Sequence, residues 1–153
     1  MKRMFIDLVR ERKTRRVFRD TPLTEEQMSL ILEAGDRAPS SRNLRPVRLV
    51  PIRDTTLIRR LAECKDHGAD ALRTATFAVV VAADEDVCDV WIEDASIATI
   101  FMQMEAQDLG IGSCWIQTRL RCKGDVPAED NVRSIAGLDD GLRVLSIVAF
   151  GNC

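Results

Sequence analysis

A chain of 153 residues with 46% hydrophobic and 30% charged side chains is expected to form one folded domain over 1–153, and nothing in that balance argues for disorder. It contains no run of about 18 apolar residues and no apolar signal-peptide core, which predicts a cytoplasmic protein without a membrane span, and its five cysteines, odd in number and scattered, fit reduced thiols better than a disulfide framework. The net charge of −2 hides an imbalance: eight Lys or Arg against two acids leave the first 19 residues at +6 and the remainder at −8.

That positive front has the pattern of a helix. Phe5, Ile6, Leu8 and Val9 interleave with the charges, which argues against a disordered basic tail and so against nucleic acid as a partner. A dense basic run follows at Arg12, Lys13, Thr14, Arg15 and Arg16. Thr24 with Gln27 three positions later forms a capping box, opening a helix whose inward face is Met28, Ile31, Leu32 and Gly35.

The loop from Ala38 to Pro46 comes next. Pro39 and Pro46 stiffen it, and between them Ser40, Ser41 and Asn43 project donors and acceptors suited to the polar edge of a flat heterocycle. The same residues also suit a plain helix-to-strand connection in which they bond only their own backbone. Residues 47–53 read as a strand with Pro51 inside it, hence toward an edge, and Asp54 caps a short helix through Leu61. Phe77 to Ala83 and Val144 to Phe150 are nearly continuous apolar runs, which predicts central strands covered on both faces.

A long helix is expected from about Asp89 to Leu109. Ile92, Ala95, Thr99, Met102, Ala106 and Leu109 make one apolar face, and Ile97, Ile100, Phe101 and Met104 make a second. A helix apolar on two sides is either a central core helix or one face of a subunit contact, for which a two-fold homodimer is the simplest symmetry. Gly110 is placed to end this helix in a left-handed cap, and Gly112 to allow close backbone approach, ahead of a strand beginning at Ser113, Cys114 and Trp115. The order helix, glycines, strand is the reverse of a dinucleotide-binding turn. Trp115 reads as core.

Side-chain chemistry is sparse. His67 is the one histidine and there is no tyrosine, so a hydrolase triad would rest on a residue that has no elbow motif or partner nearby. Cys64 and His67 have a passable metal half-site spacing, but no second close pair follows, so no metal site is expected.

Three segments together carry a resemblance. The run Arg12-Lys13-Thr14-Arg15-Arg16, the loop Ala38-Pro39-Ser40-Ser41-Arg42-Asn43-Leu44-Arg45-Pro46 and the segment Leu109-Gly110-Ile111-Gly112-Ser113-Cys114-Trp115-Ile116 resemble, in the same order, motifs of the nitroreductase family of FMN-dependent oxidoreductases. The resemblance implies an α+β three-layer sandwich, with a central mainly antiparallel or mixed sheet flanked by helices, in a homodimer that holds FMN at the subunit interface. It implies hydride transfer from NADH or NADPH through the flavin N5 to a small flat acceptor, a nitroaromatic or quinone, by a ping-pong mechanism. No catalytic side chain is required, because the flavin carries the chemistry.

By the same resemblance Arg12 and Arg16 contact the phosphate or the flavin N1 and O2 region, and Lys13 and Thr14 complete the phosphate and ribityl contacts. Pro39, Ser40, Ser41 and Asn43 hold the ring, with Gly112 and Ser113 alongside it. Arg45 and Val47 stand where many relatives have Gln and Trp. Relatives usually continue past the last strand with a tail whose Lys or Arg reaches the phosphate, whereas this sequence stops at Cys153. One lost charge-assisted bond corresponds to about 1.5–3 kcal/mol, ten- to a hundredfold in affinity. The alternative reading is a non-catalytic flavin-binding or dimerisation module of the same fold.

Overall fold

The computed structural model describes residues 1–153 and contains, in chain order, α1 (Phe5–Glu11), α2 (Glu25–Arg37), β1 (Val47–Ile52), α3 (Thr55–Leu61), β2 (Phe77–Ala83), α4 (Trp91–Asp108), β3 (Gly112–Gln117), β4 (Cys122–Lys123), β5 (Val126–Pro127), α5 (Ala128–Ala136) and β6 (Arg143–Gly151). Short 3₁₀ turns lie at Ser41–Asn43 and Asp70–Arg73.

The two continuous apolar runs are the central strands of a four-stranded sheet ordered β1-β2-β6-β3, in which every neighbouring pair is antiparallel. β2 is buried at every position, and β1, with Pro51, lies at an edge. Alternation along β2 sends Phe77, Val79, Val81 and Ala83 to one face, where they meet α2 and α4 through Met28, Ile31, Ala95 and Met102. Ala78 and Val80 go to the other, against Ile58 and Leu61 of α3 and Val132 of α5. The result is helices, sheet, helices: the three layers expected from the sequence.

The local signals act as read. Thr24 Oγ1 accepts from Gln27 N at 3.1 Å while Gln27 Oε1 accepts from Thr24 N at 2.9 Å, and Asp54 Oδ1 accepts from Thr56 N at 2.9 Å. Gly110 has a φ of +74° just past α4. α4 begins two residues later than the periodicity suggested. The β4–β5 hairpin and α5 had no sequence reading at all. No helix is long and apolar enough to cross a membrane.

α4 is buried on one side only. Ala95, Thr99, Met102 and Ala106 face the core, whereas Ile100 and Phe101 remain 39% and 41% exposed. α1 packs beside α4 and buries none of its residues, leaving Phe5, Ile6 and Val9 exposed. The two helices thus present a neighbouring apolar surface to solvent.

Candidate functional site

The basic segment after α1 is fixed by its main chain. Thr14 bridges to Ser113 in parallel fashion, Arg15 N donates to Ser113 O at 2.9 Å, and Arg19 N donates to Asn152 O at 2.7 Å. Residues 14–19 therefore lie across the ends of β3 and β6. Gly112 and Gly151 are register partners there, and both are needed for the close approach. A Cβ on Gly151 would sit 2.6 Å from Phe18 Cβ, and one on Gly112 would sit 3.0 Å from Arg15 Cβ and press on Cys153 Sγ. The close approach anticipated at Gly112 is thus to Arg15 and Cys153.

With the backbone so tethered, the side chains are spare. Arg12, half-buried, and Lys13, Arg15 and Arg16, exposed, have no acidic partner and no side-chain hydrogen bond. Ser113 is buried and its Oγ accepts from Gln103 Nε2 at 3.1 Å. Burial pushes the Cys114 thiol up, an effect partly offset by the charge of Arg16.

The Pro-Ser-Ser loop is built differently. Arg42, Asn43 and Arg45 have φ of +53°, +54° and +55°, a left-handed conformation that costs roughly 1–3 kcal/mol at each non-glycine residue. Side chains hold it. Ser41 N donates to Oδ1 of the buried Asp94, in the first turn of α4, at 2.9 Å, and Ser40 Oγ accepts from Arg45 N at 3.1 Å. Arg45 Nη1 donates to Ala38 O at 2.6 Å and Asp36 O at 3.2 Å, so the guanidinium closes the carbonyl end of α2, and its Nε donates to Asn43 Oδ1 at 2.8 Å. Asp94 Oδ2 lies 3.5 Å from the buried Cys88 Sγ. A cavity of about 140 Å³ opens beside Pro39, Ser40, Arg45, Val47 and Asp94. The Asn43 amide nitrogen and the Ser41 hydroxyl keep donors free of intramolecular bonds.

The structure brings Thr14 and Arg15 to Gly112 and Ser113, with Arg16 close enough to act on Cys114 and Arg12 and Lys13 just before them in the chain, but joins none of these to Ser40, Ser41 or Asn43 through a hydrogen bond or ion pair. The two groups meet α4 at Gln103 and Asp94, nine positions apart, a rise of about 14 Å along the helix. Asp94 and Gln103 escaped the sequence reading; each is a polar residue within an otherwise apolar helical pattern, the one signal available. His67 is exposed and all five cysteines are free.

A model described as the nitroreductase family matches residues 9–65 and 62–152, which takes in the basic segment, the loop and β3. The chain belongs to the nitroreductase family. A relative from Archaeoglobus fulgidus, named "Putative NADH dehydrogenase/NAD(P)H nitroreductase", is 30% identical over 153 residues, covering 95% of this chain and 83% of that protein. Among solved structures, an FMN-dependent nitroreductase from Clostridium difficile R20291 superposes with a TM-score of 0.94 at 34% identity, over 96% of this chain and 86% of that one. A nitroreductase-fold protein from Desulfovibrio desulfuricans, crystallised in complex with FMN, superposes with a TM-score of 0.82 at 24% identity over 99% and 87%, an agreement of fold. The nitroreductase fold accordingly accounts for the three layers and the antiparallel sheet described above.

Proposed function

We propose that this nitroreductase-family chain is an FMN-dependent oxidoreductase that works as a homodimer, taking hydride from NADH or NADPH and passing it to a small flat acceptor by a ping-pong mechanism. The observation that carries the reading is the set of cations at Arg12, Lys13 and Arg16, unpaired although the segment bearing them is fixed in place by main-chain bonds. A phosphate is the ligand such a cluster lacks. The likeness to the FMN-dependent clostridial enzyme supports the choice of cofactor.

Bound at this site, FMN would supply an N5 centre able to take hydride from the nicotinamide and give it up to the acceptor. The protein's part is binding and electrostatics. Arg12 and Arg16 offer planar forks to the phosphate or to negative charge near the flavin N1 and O2, with Lys13 and Thr14 beside them. Pro39 and Ser40 shape the loop, whose free Ser41 hydroxyl and Asn43 amide would hold the ring, with Gly112 and the Ser113 backbone alongside it. A homodimer reconciles the spacing: the two groups lie apart along α4, and the apolar surface of Phe5, Ile6, Val9, Ile100 and Phe101 is suited to a second copy that brings one group to the other.

The test is a titration with FMN followed by quenching of flavin fluorescence, with an Arg12→Ala/Arg16→Ala variant alongside. Saturation near one FMN per chain in the parent, lost in the variant, supports the reading. Removing two charge-assisted contacts at about 1.5–3 kcal/mol each weakens binding by roughly two to four orders of magnitude. Absence of binding at micromolar protein would sink it. Parallel double-reciprocal plots for nicotinamide and acceptor check the ping-pong order.

A further inference from the structure

We propose that Lys65 anchors a second ligand site, for a small oxyanion carried as a carboxylate or a phosphate group, in the cleft between the end of α3 and the β4–β5 hairpin. The inference does not depend on the flavin reading, since none of the residues involved belongs to the flavin site.

Lys65 is 7% exposed, and its Nζ has a single protein partner, the Gln117 carbonyl in β3 at 2.7 Å. No carboxylate pairs with it. Sequestering an ammonium without a counter-ion is unfavourable by several kcal/mol, and one carbonyl leaves two of its three N–H groups unused. The carboxylates on the cleft wall are already engaged. Glu63 accepts from Arg73 at 2.8 Å and Lys123 at 3.0 Å, Asp70 accepts from Arg73 at 3.0 Å, and Asp66 accepts from Gly124 N at 3.1 Å.

The ammonium faces space. Gly68, with a φ of +86°, turns the chain past it, and a Cβ at that position would sit 3.4 Å from Lys65 Nζ and 3.7 Å from Cε. Beyond lies a cavity of about 190 Å³, enough for acetate or phosphate, with the exposed His67 on its wall and without a partner of its own. An oxyanion there accepts the two remaining Lys65 protons and reaches the imidazole. Burial pushes the Lys65 ammonium below its ordinary pKa, and a bound anion would oppose that shift.

Inorganic phosphate and sodium acetate, titrated separately at constant ionic strength and followed by calorimetry, test the site. The wild-type chain, Lys65→Met and the Arg12→Ala/Arg16→Ala variant are compared. Saturable binding is expected in the wild type and in the arginine variant, weakened at least tenfold by Lys65→Met. Saturation by both anions assigns a site for either group, and saturation by one assigns that group as the ligand's. Lys65→Met retains the aliphatic stem and removes a buried charge, so its melting temperature without anion is expected to equal or exceed the wild type's. A readout that needs no variant is the rate at which acetic anhydride acylates Lys65, read by mass spectrometry, which saturating anion is expected to slow at least threefold. Binding of neither anion, binding indifferent to Lys65→Met, or acylation unchanged by anion overturns the proposal.

Discussion

The basic segment Arg12–Arg16 and the loop Pro39–Arg45 differ in what fixes them. The first is hung on the sheet by the main-chain hydrogen bond of Arg15 to Ser113 and, just beyond the segment, that of Arg19 to Asn152, over two facing glycines, so its charged groups carry no structural duty. The second holds three left-handed non-glycine residues, and Asp94, Ser40 and Arg45 are engaged in holding it. Side chains in the first are therefore free to be selected for a ligand. In the second, the groups that shape the site also stabilise the fold, so substitution there is expected to lower both stability and affinity.

Asp94→Ala should break this contrast open most strongly. It strips the charged acceptor from Ser41 N, a bond worth about 1.5–3 kcal/mol, and releases the strain of the loop. FMN affinity is expected to fall ten- to a hundredfold together with the melting temperature, whereas Arg16→Ala should lower affinity with melting unchanged. Asp94→Asn, whose Oδ1 accepts the same bond, should restore most of both. FMN titration and thermal melts on the same samples check it.

Gly112→Ala is next, and probes the main-chain-tethered half at its floor. The added methyl would lie 3.0 Å from both Cβ and Cγ of Arg15, so the segment must lift from β3; overpacking of this kind costs about 1–3 kcal/mol. Affinity should fall several-fold. Because Asp94 lies in the first turn of α4 and Gly112 opens β3 beyond that helix's far end, the double variant should be additive within about 0.5 kcal/mol in a denaturant-melt cycle. Arg45→Gln should have a smaller effect. It removes the cation from the carbonyl end of α2, an interaction of about 0.3–1 kcal/mol at an exposed position, and should weaken FMN binding by no more than roughly fivefold.

The contrast also explains what the sequence could disclose. Periodicity and turn chemistry are local, so β2 and β6, the edge position of Pro51, the Thr24–Gln27 capping box and the Asp54 cap were legible. The tether of Thr14 and Arg15 to Ser113 spans about a hundred residues and leaves no local trace beyond the glycine at 112. The left-handed backbone at Arg42, Asn43 and Arg45 was hidden for a different reason: two of the three are arginines, which carry no signature of positive φ, and the brace that stabilises them comes from Asp94 on another element. The β4–β5 hairpin consists of two-residue strands, too short for any alternation to register.

The smallest expected effect on the site comes from Glu129, which touches neither half. In the first turn of α5 its Oε1 accepts from Arg143 Nε at 3.0 Å and Val144 N at 2.8 Å, and its Oε2 accepts from Arg143 Nη2 at 3.0 Å. Burial raises the carboxyl, but these bonds outweigh it and hold Glu129 below the usual carboxylate range. A carboxyl lower in the folded than in the unfolded chain stabilises the fold fully above the unfolded value, about 4.3, and loses that contribution as pH falls through the folded value. Wild type should therefore lose stability more steeply than Glu129→Gln between pH 5 and the acid transition. The gap between them, about 1 kcal/mol at pH 7 because the amide oxygen still accepts, should close in acid. Denaturant melts across that range measure it. FMN affinity at pH 7 should be the same in both, since Arg143 keeps Glu85 at 2.8 Å and the Trp91 ring at 4.9 Å and nothing moves near Ser113 or Ser41.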